Sequence, residues 1–431
     1  MNSIYSIPKN NYFLPIMICV FYYVTAKFFF FNLLGIKREV LYLIIWLTLI
    51  ISIIKIDYLF NVFKQKNIIL LTMYCFIIVW LIQNNTDTTI IFLTTTIMIG
   101  FILNFSQKRF DFTSKLIITC ACIFSIFVII QAIIYIYHPE VFDIPYTPVP
   151  PGRHSLEPIA VKYPIHYLGF WAAGREEILG IELPRFESFA SEPSILVAIF
   201  LIPGLLGLTY NGIIRKMSYV ILFFSTILAF AGTIYLSLAL GFVVFFSLFL
   251  FRFIMNNKFK PLSIAFVFMV FYLCGYFMIK TDVYAVMNLM DIGLSPYSDY
   301  SSILGHASKP YARVVSSQQA AQLVSANPFG TQESVLSVTG LLLSYGMLFG
   351  YLGVILCGII YTKIIIRFIS AFYIEFGLIY KIGISLIIGT IIQTLFFSSY
   401  GWLTPSGLII TSLLYVRSNN LINNFPKTLK F

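Results

Sequence analysis

The chain has 431 residues, of which 59% are hydrophobic and 10% charged, with a net charge of +11 and a mean hydropathy of +0.90. A soluble domain carries roughly 25% charged residues to cover a wetted surface, so this composition excludes a water-soluble globular fold and makes lipid the main solvent. The positive charge is dispersed along the chain, which excludes a nucleic-acid-binding face.

Breaking the apolar runs at polar clusters predicts an all-α polytopic membrane protein of about twelve spans. In chain order they fall near 12–34, 40–56, 68–83, 90–104, 116–137, 191–210, 217–232, 235–254, 261–280, 335–362, 377–397 and 403–416. The first span has no signal-peptide layout before it and is expected to be retained. The six cysteines (Cys19, Cys75, Cys120, Cys122, Cys274 and Cys357) all lie in apolar runs, where they act as small hydrophobes. Cys120 and Cys122 are two apart and point to different faces of a helix, so no metal or disulfide framework is expected.

The positive-inside rule orients the spans. With both termini cytoplasmic, inner connections receive Lys64, Lys66, Lys108, Arg109, Lys115, Arg215, Lys216, Lys258, Lys260, Lys363 and Arg367, and a tail receives Arg417, Lys427 and Lys430. The pair Lys37–Arg38 runs against this orientation. Lys27 is the main charge within a span and is expected to snorkel outward. The chain then divides into spans 1–5 (1–137), a first long outer loop (138–190), spans 6–9 (191–280), a second long outer loop (281–334), and spans 10–12 with a tail (335–431).

The two outer loops hold all four histidines, His138, His154, His166 and His306, and most of the acids. The first is rich in proline and aromatics, and is expected to be ordered but irregular. The second carries a candidate short helix, Tyr311–Ser325, closed by the turn signal Asn327-Pro328-Phe329-Gly330. No phosphate-binding glycine loop and no metal-ligand spacing occurs, so neither a nucleotide nor a metal is expected.

The densest polar cluster is Arg185-Phe186-Glu187-Ser188-Phe189-Ala190-Ser191-Glu192-Pro193-Ser194, which opens the sixth span. Helix capping accounts for part of it: Ser191 is a good N-cap, proline fits a first turn, and Glu192 complements the helix dipole. It does not account for Arg185 and Glu187 upstream. This segment resembles the O-antigen polymerase (Wzy) family of bacterial polysaccharide assembly. A second likeness lies in Arg313-Val314-Val315, then Asn327-Pro328-Phe329-Gly330, then a glycine-punctuated span through Gly340, Gly346 and Gly350. The related O-antigen ligases carry a His-Asn pair after the second turn, where this chain has Thr331-Gln332-Glu333-Ser334.

The resemblance implies transfer of a growing glycan from one undecaprenyl diphosphate carrier to a sugar hydroxyl on another, at the periplasmic face of the bacterial cytoplasmic membrane. Arg185 and Arg313 would neutralise the departing diphosphate, since a guanidinium binds phosphate oxygens bidentately. The base for the attacking hydroxyl would be Glu192 or Glu187. Tyr163, Tyr167, Trp171, Tyr311 and His306 are candidate sugar contacts, although interfacial aromatics and surface histidines have ordinary roles as well. The implied partners are the lipid-linked glycans, the bilayer and a chain-length regulator, with no cofactor. An O-antigen ligase and, from another class, a polysaccharide flippase are the rival expectations.

Overall fold

The computed structural model describes residues 12–25, 46, 69, 86–138, 172–178, 181–186, 197–225, 232–255, 321–330, 340–374, 377–396 and 405–423. Its helices are α1 (Phe13–Thr25), α2 (Thr86–Asn104), α3 (Gln107–Tyr137), α4 (Ile202–Leu208), α5 (Ile213–Val220), α6 (Gly232–Met255), α7 (Leu341–Tyr373), α8 (Leu378–Phe396) and α9 (Pro405–Asn423). A π-helical turn, Val197–Leu201, leads into α4, and another, Ile221–Ser225, continues α5. Four segments are long and apolar enough to cross a membrane: Gln107–Ile134, Ile234–Arg252, Leu341–Tyr373 and Leu378–Phe396. The chain is therefore an α-helical, membrane-embedded protein.

Helices suit this sequence because a backbone without water must satisfy its own polar groups. The buried hydroxyls follow the same logic. Thr113, Thr390, Thr411 and Ser412 each donate to the carbonyl four residues back, in Arg109, Leu386, Gly407 and Leu408. Each is thereby hydrogen-bonded inside its own helix and tolerated in an apolar interior.

Small residues set the closest packing. A Cβ built on Gly389 of α8 would overlap the backbone of Gly241 in α6. With no hydrophobic drive between helices in lipid, such close backbone approach supplies the dispersion that joins them. Elsewhere polar contacts assist: Tyr361 of α7 meets Thr411 of α9 at 2.8 Å, and Tyr23 of α1 donates to the Ile117 carbonyl of α3 at 2.7 Å. Phe21, Tyr22, Phe110, Phe200, Tyr361, Phe368 and Phe372 are the largest fully buried aromatic side chains among the described residues.

Several expected boundaries shift. The helix expected over 116–137 starts at Gln107 and ends, as expected, at Tyr137, with His138 as its C-cap. That over 335–362 starts at Leu341 and runs to Tyr373, and that over 403–416 runs to Asn423. Lys108, Arg109, Lys115, Lys363, Arg367 and Arg417 therefore lie on helices and not in connections or a tail. A helix has no reason to stop at its first cation when that cation can be paired or can reach water along its stem. The expectation of an irregular first loop also changes, because it contains an antiparallel hairpin, β1 (Ala172–Ile178) and β2 (Ile181–Phe186).

The described helices have a basic end. Tyr12 stacks near Phe112 at 4.7 Å, Tyr210 reaches Asp111, and Arg417 reaches Asp111, Thr209 and Tyr380. Arg367 lies over Tyr415, Lys381 over Phe372, and Phe251 beside Tyr373. These contacts bring the start of α1, α3 and α8, the turn before α5, and the far parts of α6, α7 and α9 to one end. Lys115, Arg215, Arg367, Lys381 and Arg417 make contacts at this end, and Asp111 is its one acid among the described residues.

Candidate functional site

Most sequence-predicted site residues fall outside the described residues: Glu187, Glu192, Tyr163, Tyr167, Trp171, His306, Tyr311 and Arg313. Arg185 is placed by its backbone, next to the last residue of β2. The hairpin register sets Arg175 opposite Pro184, Glu177 opposite Glu182 and Ala172 opposite Phe186. No two of the predicted residues are brought together among the described ones.

The second motif is placed. Residues 321–326 are helical, and the chain then turns at Pro328 and Phe329, with the Gly330 amide donating to the Asn327 carbonyl at 2.9 Å. The Asn327 side chain closes the preceding helical turn by donating to Leu323 at 3.1 Å. This turn packs on a break in α7 at Gly350, whose φ of 64° and ψ of −156° are not helical. The break deprives the Tyr351 amide of an acceptor in its own helix, and the Pro328 carbonyl supplies one at 3.0 Å.

Glycine is required on both sides of the contact. Gly330 has a φ of 95°, and a Cβ there would overlap the Leu348 carbonyl; a Cβ on Gly350 would overlap that of Pro328. Past the break the two arms of α7 lean together. A Cβ on Gly353 would overlap the Tyr345 carbonyl, and one on Gly346 would press on Val354 and Val324. Residues eight apart in a straight helix would be roughly 12 Å apart along its axis, so α7 bends back on itself. Its second arm, Tyr351–Tyr373, still has roughly 23 residues, enough to cross a bilayer alone.

This module is at the end of the helices away from the cations. Gly340, where α7 begins, packs on the carbonyls of Leu395 and Phe396 at the far end of α8 from Lys381. Phe329 is 88% exposed at the tip of the turn. Nearby in α8, Gln393 is buried against α6 and accepts from Ser237 at 3.3 Å. Its amide nitrogen has no partner among the described residues.

The basic end holds a polar cluster that sequence reasoning missed. The Arg417 Nε donates to Thr209 Oγ1 at 3.0 Å, and its Nη2 to the Thr209 carbonyl. The guanidinium lies over the Tyr210 ring at 3.8 Å, and Tyr210 donates to Asp111 at 3.2 Å. The signal available in the sequence was Asp111 itself, an acid among Lys108, Arg109 and Lys115.

Comparison with protein-family models, with curated proteins and with solved structures finds no match to this chain.

Proposed function

We propose that the chain is a membrane glycosyltransferase that polymerises undecaprenyl-diphosphate-linked oligosaccharide repeats on the outer face of the bacterial cytoplasmic membrane. The full reading has about twelve spans, both termini cytoplasmic and two long periplasmic loops. What supports it is the seating of the Asn327–Gly330 turn on the break at Gly350. The described part of the second likeness, the Asn327–Gly330 turn with Gly346 and Gly350, packs as one unit at the end opposite the basic cluster. The positive-inside rule assigns the cationic end to the cytoplasm, which leaves this unit outward, where lipid-linked glycans are assembled.

In the proposed reaction a sugar hydroxyl of the acceptor repeat attacks the anomeric carbon of the donor glycan. The new glycosidic bond forms as the bond to the diphosphate oxygen breaks, and undecaprenyl diphosphate departs with the electron pair. Arg185 and Arg313 neutralise the departing charge, and Glu192 or Glu187 takes the hydroxyl proton. Removing the protein should leave single-repeat glycans and abolish long chains. Loss of all transferred product, single repeats included, would point to the ligase and overturn the polymerase reading.

One observation favours a second reading, a lipid-linked glycan flippase. Broken helices line substrate paths in many transporters, and α7 is broken at Gly350. Reconstituted vesicles separate the two: chain extension supports the polymerase, and movement of the lipid-linked repeat without extension supports the flippase.

A further inference from the structure

We propose that the basic end carries a binding site for an anionic phospholipid, made by Lys108 and Lys115 of α3 together with Arg215 and Lys216 of α5. The inference does not depend on the glycosyltransferase reading.

The first observation is a continuous exposed face of α3. Lys108 and Lys115 are exposed at its base. Ile123, Ile126, Ile130 and Ile133 follow along the same face, each between 40% and 50% exposed. The steps from Lys115 through Thr119 to Ile133 are all of three or four residues, so these positions share one stripe. It runs roughly 27 Å at 1.5 Å per residue, close to the thickness of a hydrocarbon core. Cations at the foot of a long apolar stripe match a molecule with an anionic head and an acyl chain.

The second observation is the element beside that foot. Met217 of α5 meets Thr119 of α3 at 3.7 Å, and Lys115 lies over the Tyr210 ring at 5.9 Å. The short α5 buries Ile214 and Ser218, leaves Ile213 63% and Tyr219 42% exposed, and exposes Lys216. Apolar and cationic side chains leaving one short helix together mark the boundary between headgroups and acyl chains. The Arg215 guanidinium is already held, donating to the Tyr210 carbonyl at 2.8 Å and to Asn211 Oδ1 at 2.6 Å. Little ordering is left for it to undergo when it meets a phosphate.

The third observation is that the neighbouring acid is committed elsewhere. Asp111 lies 3.6 Å from Arg417 and accepts from Tyr210. Its charge is balanced inward, and among the described residues no other acid lies on α3 or α5, so their outward cations can meet an external anion. A soluble phosphate would satisfy the cations but not the isoleucine stripe, which is why a membrane lipid is the better occupant.

The test uses the full chain in nanodiscs of phosphatidylcholine with a minor fraction of phosphatidylglycerol, and native mass spectrometry of the lipids it retains. The wild type should retain phosphatidylglycerol severalfold above its share of the nanodisc. Lys108→Gln/Lys115→Gln should lose most of that enrichment, and adding Arg215→Gln/Lys216→Gln should bring it to parity. Lys363→Gln/Arg252→Gln removes the same charge from other described helices and should leave the enrichment intact. Replacing Ile126 and Ile130 by Ser should weaken retention while every cation stays in place. Equal enrichment in the wild type and the Lys108→Gln/Lys115→Gln protein would overturn the proposal, as would no enrichment in the wild type. Displacement of the lipid by millimolar inorganic phosphate would reassign the site to a soluble anion and also overturn it.

Discussion

Arg417 and Asp111, far apart in sequence, meet at 3.6 Å, with the Tyr210 ring beneath the guanidinium and its hydroxyl on the carboxylate. The Arg417 side chain is 8% exposed and that of Asp111 25%. Arg417→Ala strands a largely desolvated carboxylate and removes both bonds to Thr209. Breaking a fully buried pair costs roughly 3–5 kcal/mol, and partial exposure of Asp111 reduces this to about 2–3 kcal/mol. Arg417→Lys should recover only part of that, because an ammonium cannot stack on the ring and reach Thr209 at once. Thermal unfolding in detergent checks the order; equal midpoints for wild type and Arg417→Ala would refute the buried clasp.

Gly330→Ala and Gly350→Ala should each lower the unfolding midpoint and reduce long-chain glycan together. Both put a Cβ into a carbonyl at a positive φ. Gly358→Ala is the matched control, since no atom lies within 4 Å of the added carbon. That variant should be neutral or gain a few tenths of a kcal/mol, about the helix-propensity difference diluted by context. If Gly350→Ala behaved like Gly358→Ala, the turn would not sit on the break.

Replacing Gly389 by Ala should separate α6 from α8, because the new methyl group meets the Gly241 backbone and no flexible side chain. Overpacking of this kind costs about 1–3 kcal/mol. The expected readout is a lower midpoint that Gly241→Ala does not repair when combined with it.

The Sγ atoms of Cys19 in α1 and Cys120 in α3 lie 3.8 Å apart. Treatment with copper phenanthroline should join them, so that cleavage between the two helices leaves fragments linked until reduction. Cys120→Ser should abolish the link and Cys122→Ser should not. A link surviving Cys120→Ser would place α1 against a different face of α3.

Arg185→Ala and Arg313→Ala should each remove long glycan chains while the protein level stays unchanged. Full activity of both variants would sink the diphosphate-binding assignment, although the glycan ladder of the deletion strain would still report on polymerisation itself.

Sequence patterning located the end of α3 at Tyr137 and the turn after Asn327, because both are local: an apolar run meets a polar residue, and Asn-Pro-x-Gly cannot continue a helix. By the same local reading Arg417 falls in a tail, since the apolar run stops at Val416. Its partners, Asp111 and Thr209, are remote in sequence, and no window of neighbouring residues contains them. The break at Gly350 has no local signature either. A glycine in an apolar run reads as a tolerated small residue, and only the Pro328 carbonyl makes the break stable. The hairpin at 172–186 leaves little local signal: Ile181-Glu182-Leu183 alternates, but Ala172–Ile178 does not. Pro184 interrupts the second segment, and a proline is confined to edge strands, which a two-stranded hairpin provides on both sides.

The bend at Gly350 also bears on how the chain is made. Residues 327–330 leave the ribosome about twenty residues before Gly350, so the carbonyl that receives the Tyr351 amide is synthesised first and must wait. The arm before the bend is too short to enter a bilayer by itself, whereas the arm after it is long enough. Membrane integration would therefore be driven by the later segment, and the earlier one would dock afterwards onto a partner already in place. A truncation ending shortly after Gly350 should leave this region outside the lipid, with the motif complete in sequence yet unassembled.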